Sequence, residues 1–229
     1  MRELKKSDLR KHGIKKPGNI LANLPITALY EEAVRRNEAT IAEGGTLLAY
    51  TGSHTGRSPA DRFIVDEPGT TKNIHWGKVN KPISRKHFDN LYKKILKHYE
   101  GKDLFVRDLY VCAHPDHKTN VRIVNEYAWH NVFVNNLFRR PAIEDLPHEK
   151  IDFTVLCAPG VNANPKTDGT NSKTFIILNF EKKMAIIGGT EYAGEMKKSV
   201  FSALNYLLPD KGVFPMHCSA NVGKKVDVA

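Results

Sequence analysis

Five short apolar runs constrain this chain more than any other feature: "DLFVRDLYVCA" at 103–113, "NVRIVN" at 120–125, "DFTVLCAP" at 152–159, "TFIILNF" at 174–180 and "MAIIGG" at 184–189. Their length and their β-branched and aromatic residues mark them as strands, and the bare "EKK" between the last two predicts a tight connection. Among them only "EYAWHNVFVNNLF" has a long helical pattern, which Arg139-Arg140-Pro141 ends. Strands outnumber helices and the order is irregular. The fold class is therefore α/β, a mixed β-sheet with flanking helices rather than a doubly wound alternation.

Upstream, Pro25 opens a helical pattern that extends to Gly44-Gly45. The strand-like "TLLAY", the loop "TGSHTGRSPA" and the apolar "DRFIVD" follow, and predict a hairpin or near-hairpin with an elaborate tip. Ser84 is a candidate N-cap for a helix through Phe88, Leu91, Tyr92, Ile95 and Tyr99, and Gly101 can stop it. There is no internal repeat and no low-complexity linker.

A chain of 229 residues with 41% hydrophobic content can bury a sizeable core. No apolar run approaches membrane-spanning length, and "MRELKKSDLRKHGIKKPGN" lacks the apolar stretch of a signal peptide, so a cytoplasmic protein with no membrane partner is expected. Cys112, Cys157 and Cys218 lie far apart, which argues against a disulfide framework or zinc ribbon and for buried thiols. The net charge of +10 suggests an anionic partner. Its lysines are interspersed with acids, and no nucleic-acid-binding motif is present. A stand-alone basic module for nucleic acid or polyphosphate is the alternative reading.

The stretch "TEYAGEMKKSVFSALNYLLPDKGVFPMHCSANVG" at 190–223 puts two lysines at a helix start, where the helix dipole disfavours cations by a few tenths to roughly 1 kcal/mol each. On a helical wheel Lys197 falls within the arc of Met196, Val200, Ala203 and Leu204, and Lys198 on the opposite face with Ser202 and Asn205. A solvated face accounts for Lys198; Lys197 needs either snorkelling or a ligand. Gly189 and Gly194 have the separation of a phosphate-binding loop, but Glu195 stands where its lysine belongs. What remains is strand, glycines, helix start, a geometry suited to anions. Arg57 in "TGRSP" can be a solvated loop residue or a bidentate anchor for carboxylate or phosphate. His114 and His117 read as surface; His217 in "PMHCSANVG" is placed at the end of a buried strand, where Cys218 points to the other face.

Together "YTGSHTGRSPADRFIV", "IHWGKVNKPIS", "IGGTEYAGEMKKSVFSALNYLLP" and "FPMHCSANVG" closely resemble ATP-dependent phosphoenolpyruvate carboxykinase, in order, over residues 21–229. The resemblance implies that 1–229 is that family's N-terminal, substrate-binding domain, in an enzyme converting oxaloacetate and ATP to phosphoenolpyruvate, CO2 and ADP with Mg-ATP and Mn2+. It makes Arg57 the arginine on the substrate carboxylate and Tyr192 the tyrosine beside phosphoenolpyruvate or CO2. Lys198 becomes a manganese ligand that also contacts substrate and nucleotide phosphate, Lys197 its phosphate-facing neighbour, and His217 the second protein ligand of manganese. Ala60 and Val226 depart from the family's usual lysine and glycine. The family's phosphate-binding loop, the aspartate completing its manganese site and further arginines would follow Ala229. A C-terminal nucleotide-binding domain is thus the implied partner, nucleic acid is not, and the isolated chain is expected to be inactive.

Overall fold

A computed structural model describes residues 6–142, 144–146 and 150–224; Val226 lies outside them. The sequence runs become strands β6 (Leu104–Val111), β7 (Thr119–Asn125), β8 (Phe153–Ala158), β9 (Phe175–Asn179) and β10 (Met184–Gly188). With β1 (Ile20–Ala22), β4 (Arg62–Asp66) and β5 (Pro82–Ser84) they build one eight-stranded sheet in the order β1-β6-β7-β8-β10-β9-β4-β5. The pairs β6–β7 and β9–β10 are antiparallel, and the other five are parallel. A mixed sheet with helices on both faces is the expected α/β class.

Strands β8 and β10 are almost wholly apolar, with Thr154 the polar exception, because both of their faces are covered. Residues Phe153, Val155 and Cys157 enter one core, while Leu156 and Ala158 enter the other; β10 divides likewise into Ala185 and Ile187 against Met184 and Ile186. The first core is closed by helices α2 (Ile26–Arg35), α4 (Ala128–Leu137) and α6 (Gly194–Leu207), the second chiefly by α3 (Arg85–His98) with Leu9 of α1 (Lys6–Arg10). A one-turn helix, α5 (Pro165–Asp168), lies beside α3. The Ser84 hydroxyl caps α3 by accepting the His87 N–H at 3.2 Å. Helix α4 buries Asn131 and Asn135, whose oxygens accept from the buried Arg107 guanidinium at 2.6 and 2.9 Å. That pairing is why a helix with polar residues inward is stable.

Three local expectations fail. The pattern after Pro25 stops at Arg35, because Asn37 takes a left-handed conformation (φ 55°) while Asn37 N–H bonds to Val34 C=O and Glu38 N–H to Ala33 C=O. These paired bonds satisfy the last carbonyls of the helix and release the chain. The freed residues form β2 (Ala39–Ile41), which pairs with β3 (Leu47–Ala49) in a separate hairpin. Consequently "TLLAY" and "DRFIVD" are not a hairpin: β4 pairs with β9 and β5. Of the thiols only Cys157 is buried; Cys112 is intermediate and Cys218 exposed.

Where α2 releases the chain, the Glu38 carboxylate accepts the Trp129 N–H at 3.2 Å at the start of α4. Burial pushes this carboxyl up to about 7, against the opposing pull of the Trp129 and Ala128 amides. A carboxyl whose pKa rises on folding favours the folded state when protonated. Its contribution is complete below the ordinary value of 4.5 and disappears as the pH climbs through about 7. Glu38→Gln should therefore raise the melting temperature at pH 8 relative to the native chain and leave it nearly unchanged at pH 4. Equal shifts at both values would contradict this account.

Candidate functional site

The site forms at one end of the first core, where β10 hands over to α6. The chain leaves β10 through Gly189, and the Thr190 hydroxyl accepts the Tyr192 N–H at 3.2 Å. A Cβ at Gly194 would lie 2.5 Å from the Tyr192 ring, so a bare backbone there lets the half-buried tyrosine rest on the start of α6. The preceding carbonyl, that of Glu191, accepts from Nε2 of the fully buried His130 at 2.6 Å. Burial lowers this histidine's pKa to about 4, so it is a neutral imidazole with the proton on Nε2. The two glycines therefore serve close protein packing, since a Cβ at Gly189 would meet the Lys173 backbone.

The loop carrying Arg57 reaches the same end of the molecule. Ser58 N–H donates to Glu195 Oε1 at 2.7 Å, and the Arg62 guanidinium donates to Oε2 at 2.8 and 3.2 Å. Glu195 is fully buried in the first turn of α6, where the helix dipole favours an anion. His54 Nε2 lies 3.2 Å from Thr174 Oγ1, and Lys81 Nζ donates to the carbonyl of Ala60 at 2.8 Å.

The wheel puts the two lysines on opposite faces, yet both reach one Phe201–His217 cluster, since Phe201 lies one turn beyond Lys198. Lys197 Nζ lies 2.9 Å from His217 Nε2, and Lys198 Nζ lies 5.4 Å above the Phe201 ring. That ring also meets the His217 imidazole edge-on, with centroids 5.6 Å apart. Lys198 is held below its ordinary pKa, first by partial burial and then by repulsion from Lys197, Arg57 and Arg62. Lys197, Lys198 and the Arg62 guanidinium bound by Glu195 thus gather at one helix start. Arg57 itself is exposed.

His217 does not end a buried strand. It sits in an irregular exposed segment whose neighbours Phe214 and Met216 are 80% and 62% exposed. Pro215 has no N–H for a ladder, which removes one reason for this segment to join the sheet. Outside a strand, Cys218 and His217 are not held to opposite faces. Sequence reasoning missed Glu195, Arg62 and His130. An acid in the first turn before two lysines was a visible signal for Glu195; the partners of the other two lie 133 and 61 residues away in sequence.

The donor set suits a divalent cation only in part. Among the described residues no three His, Cys, Asp or Glu side chains gather around a common point. The available donors are the His217 imidazole and two amines, and an amine binds metal only after losing its proton, which the lowered pKa of Lys198 favours. Lys197 now takes the imidazole nitrogen that a cation would use.

Residues 18–229 match the family model described as phosphoenolpyruvate carboxykinase. The chain is 53% identical over 221 residues to phosphoenolpyruvate carboxykinase (ATP) 1 of Moorella thermoacetica, covering 96% of this chain and 42% of that protein. It is 52% identical to phosphoenolpyruvate carboxykinase (ATP) of a Geobacter species, over 97% of this chain and 42% of the relative. The enzyme of the same name from Geobacillus kaustophilus is 51% identical over 90% of this chain and 39% of its own length. The chain thus spans about two fifths of the length of these relatives. Among the described residues no helix is long and apolar enough to cross a membrane. Because the matched region takes in the whole sheet, the Arg57 loop and the lysine-bearing helix, the chain belongs to the phosphoenolpyruvate carboxykinase family.

Proposed function

We propose that this chain supplies the substrate- and metal-binding half of an ATP-dependent phosphoenolpyruvate carboxykinase, a carboxy-lyase that converts oxaloacetate and ATP to phosphoenolpyruvate, CO2 and ADP. Residues 1–229 act as its N-terminal domain, and most of the Mg-ATP site belongs to a C-terminal nucleotide-binding domain. The observation that carries this reading is the contact of Lys197 Nζ with His217 Nε2 at the start of the helix whose Glu195 holds the loop of Arg57.

In this reading the Arg57 fork grasps a substrate carboxylate, for which two parallel N–H donors are the natural partner. Tyr192, resting on the helix start, flanks the substrate. Lys197 offsets the charge left on the organic fragment as CO2 departs and the charge of the incoming phosphoryl group, which phosphoryl transfer needs more than covalent help, while Lys198 contributes as a metal ligand. Lys198 as the neutral amine and His217 would hold Mn2+, with Lys197 giving up its contact to the imidazole. Once bound, the ion supplies Lewis-acid polarisation of the ketone oxygen.

Titration of the 229-residue chain with Mn2+, following the free-ion electron paramagnetic resonance signal, tests this directly. His217→Ala should weaken Mn2+ binding by about 100-fold or more, beyond the roughly 10–100-fold typical of losing an outer-shell partner. Arg57→Ala should weaken oxalate binding about 10–100-fold, the scale of hydrogen bonds to a charged group, and change Mn2+ affinity far less than His217→Ala does. Mn2+ affinity indifferent to His217 would overturn the metal assignment. Oxalate affinity indifferent to Arg57 would overturn the substrate assignment.

A further inference from the structure

We infer that Glu195 is a positioning residue that fastens the Arg57 loop to the lysine-bearing end of α6, so that the substrate arginine and the two lysines present one rigid anion site. The inference deepens the reading above and rests on it for the identity of the anion.

Three observations carry it. Glu195 is fully buried, yet it accepts from two elements 133 and 137 residues distant in sequence: the Arg62 guanidinium at the start of β4 and the Ser58 amide next to Arg57. Buried carboxylates with paired donors are costly to disturb, because removing one partner leaves a desolvated polar group behind. The accepted amide is the one adjoining Arg57, so the bond fixes the backbone from which that side chain leaves. Glu195 also stands two and three residues before Lys197 and Lys198 in the same helix, so the arginine and the lysines are referred to one rigid element. No other hydrogen bond joins residues 57–58 to α6 among those of the described residues.

The sign of the effect on anion binding separates positioning from simple charge. Glu195→Gln removes a negative charge from the site, and electrostatics alone would make an anion bind more tightly. Positioning demands the reverse. Oxalate affinity should fall about tenfold, the scale of one charge-assisted hydrogen bond, despite the gain of positive charge. In an Arg57→Ala background the same substitution should change affinity little, because Glu195 acts through Arg57. Hydrogen exchange of the 52–60 segment should accelerate about tenfold or more in Glu195→Gln while β8 and β10 keep their protection.

If Glu195→Gln does not fold, Arg62→Gln, at a side chain 22% exposed, loosens the same carboxylate through its other partner, and exchange at 52–60 is then the deciding readout, because losing the Arg62 charge weakens anion binding by itself. Oxalate bound equally well or more tightly by the variant, with unchanged exchange at 52–60, would overturn the inference. If the native chain binds no oxalate, the substrate reading falls, and loop exchange alone then decides whether Glu195 fastens the loop.

Discussion

Replacing Arg122 by alanine is expected to cost about 3–5 kcal/mol of stability, the cost of leaving one member of a buried ion pair alone. Arg122 on β7 stands directly opposite Asp108 on β6, and its Nε and Nη2 donate to the two carboxylate oxygens at 2.7 Å each. Both residues are over 90% buried, at 7% and 8% exposure, so water replaces neither partner well. Urea unfolding at pH 7 measures the loss as a shifted midpoint with unchanged slope. Arg122→Met combined with Asp108→Leu removes both charges and should recover much of it, because burying an ion pair gains little over burying apolar groups. A loss below about 1 kcal/mol, the range of exposed pairs, would show that the pair is solvated in the folded chain.

The second large effect is expected at Gly189, where alanine should cost about 3 kcal/mol or more and loosen the candidate site. Gly189 has φ +68°, a left-handed conformation that costs a residue with a Cβ roughly 1–2 kcal/mol. An added Cβ would also lie 2.5 Å from the Lys173 carbonyl oxygen and 2.9 Å from Thr174 Cα, and backbone cannot swing aside as a side-chain tip can. Overpacking of this kind adds about 1–3 kcal/mol. Gly101 is the control: its φ is +74°, but a Cβ there meets nothing within 4 Å. Gly101→Ala should show the conformational cost alone. The Gly189 effect should also reach the site, because Thr174 Oγ1 donates to the Gly189 carbonyl at 2.8 Å and contacts His54 of the Arg57 loop. Equal destabilisation by the two alanine variants in thermal unfolding would mean that the Lys173 contact carries no energy.

The sequence by itself determined the strands of the sheet centre and the capped helix α3. Strands covered on both faces are apolar at most positions, and that pattern shows in Phe175–Asn179 and Met184–Gly188 without knowing what covers them. A serine cap is likewise local chemistry, complete within a few residues. The lysine pair was legible for the opposite reason: Lys197 and Lys198 violate helix electrostatics, and a local violation marks a site. The end of α2 was equally local, but an asparagine in the left-handed region is a weaker signal than glycine, and the pattern overran it. Tertiary structure alone decided that β4 pairs with β9 rather than β3, because several apolar edges can satisfy the same strand and only the assembled sheet selects one. It alone joined Glu195 to Arg62 and Ser58, and His130 to Glu191. A buried polar group must find a partner, but nothing in the local chain says where, so these contacts become visible only once folding has removed the water that would otherwise satisfy them.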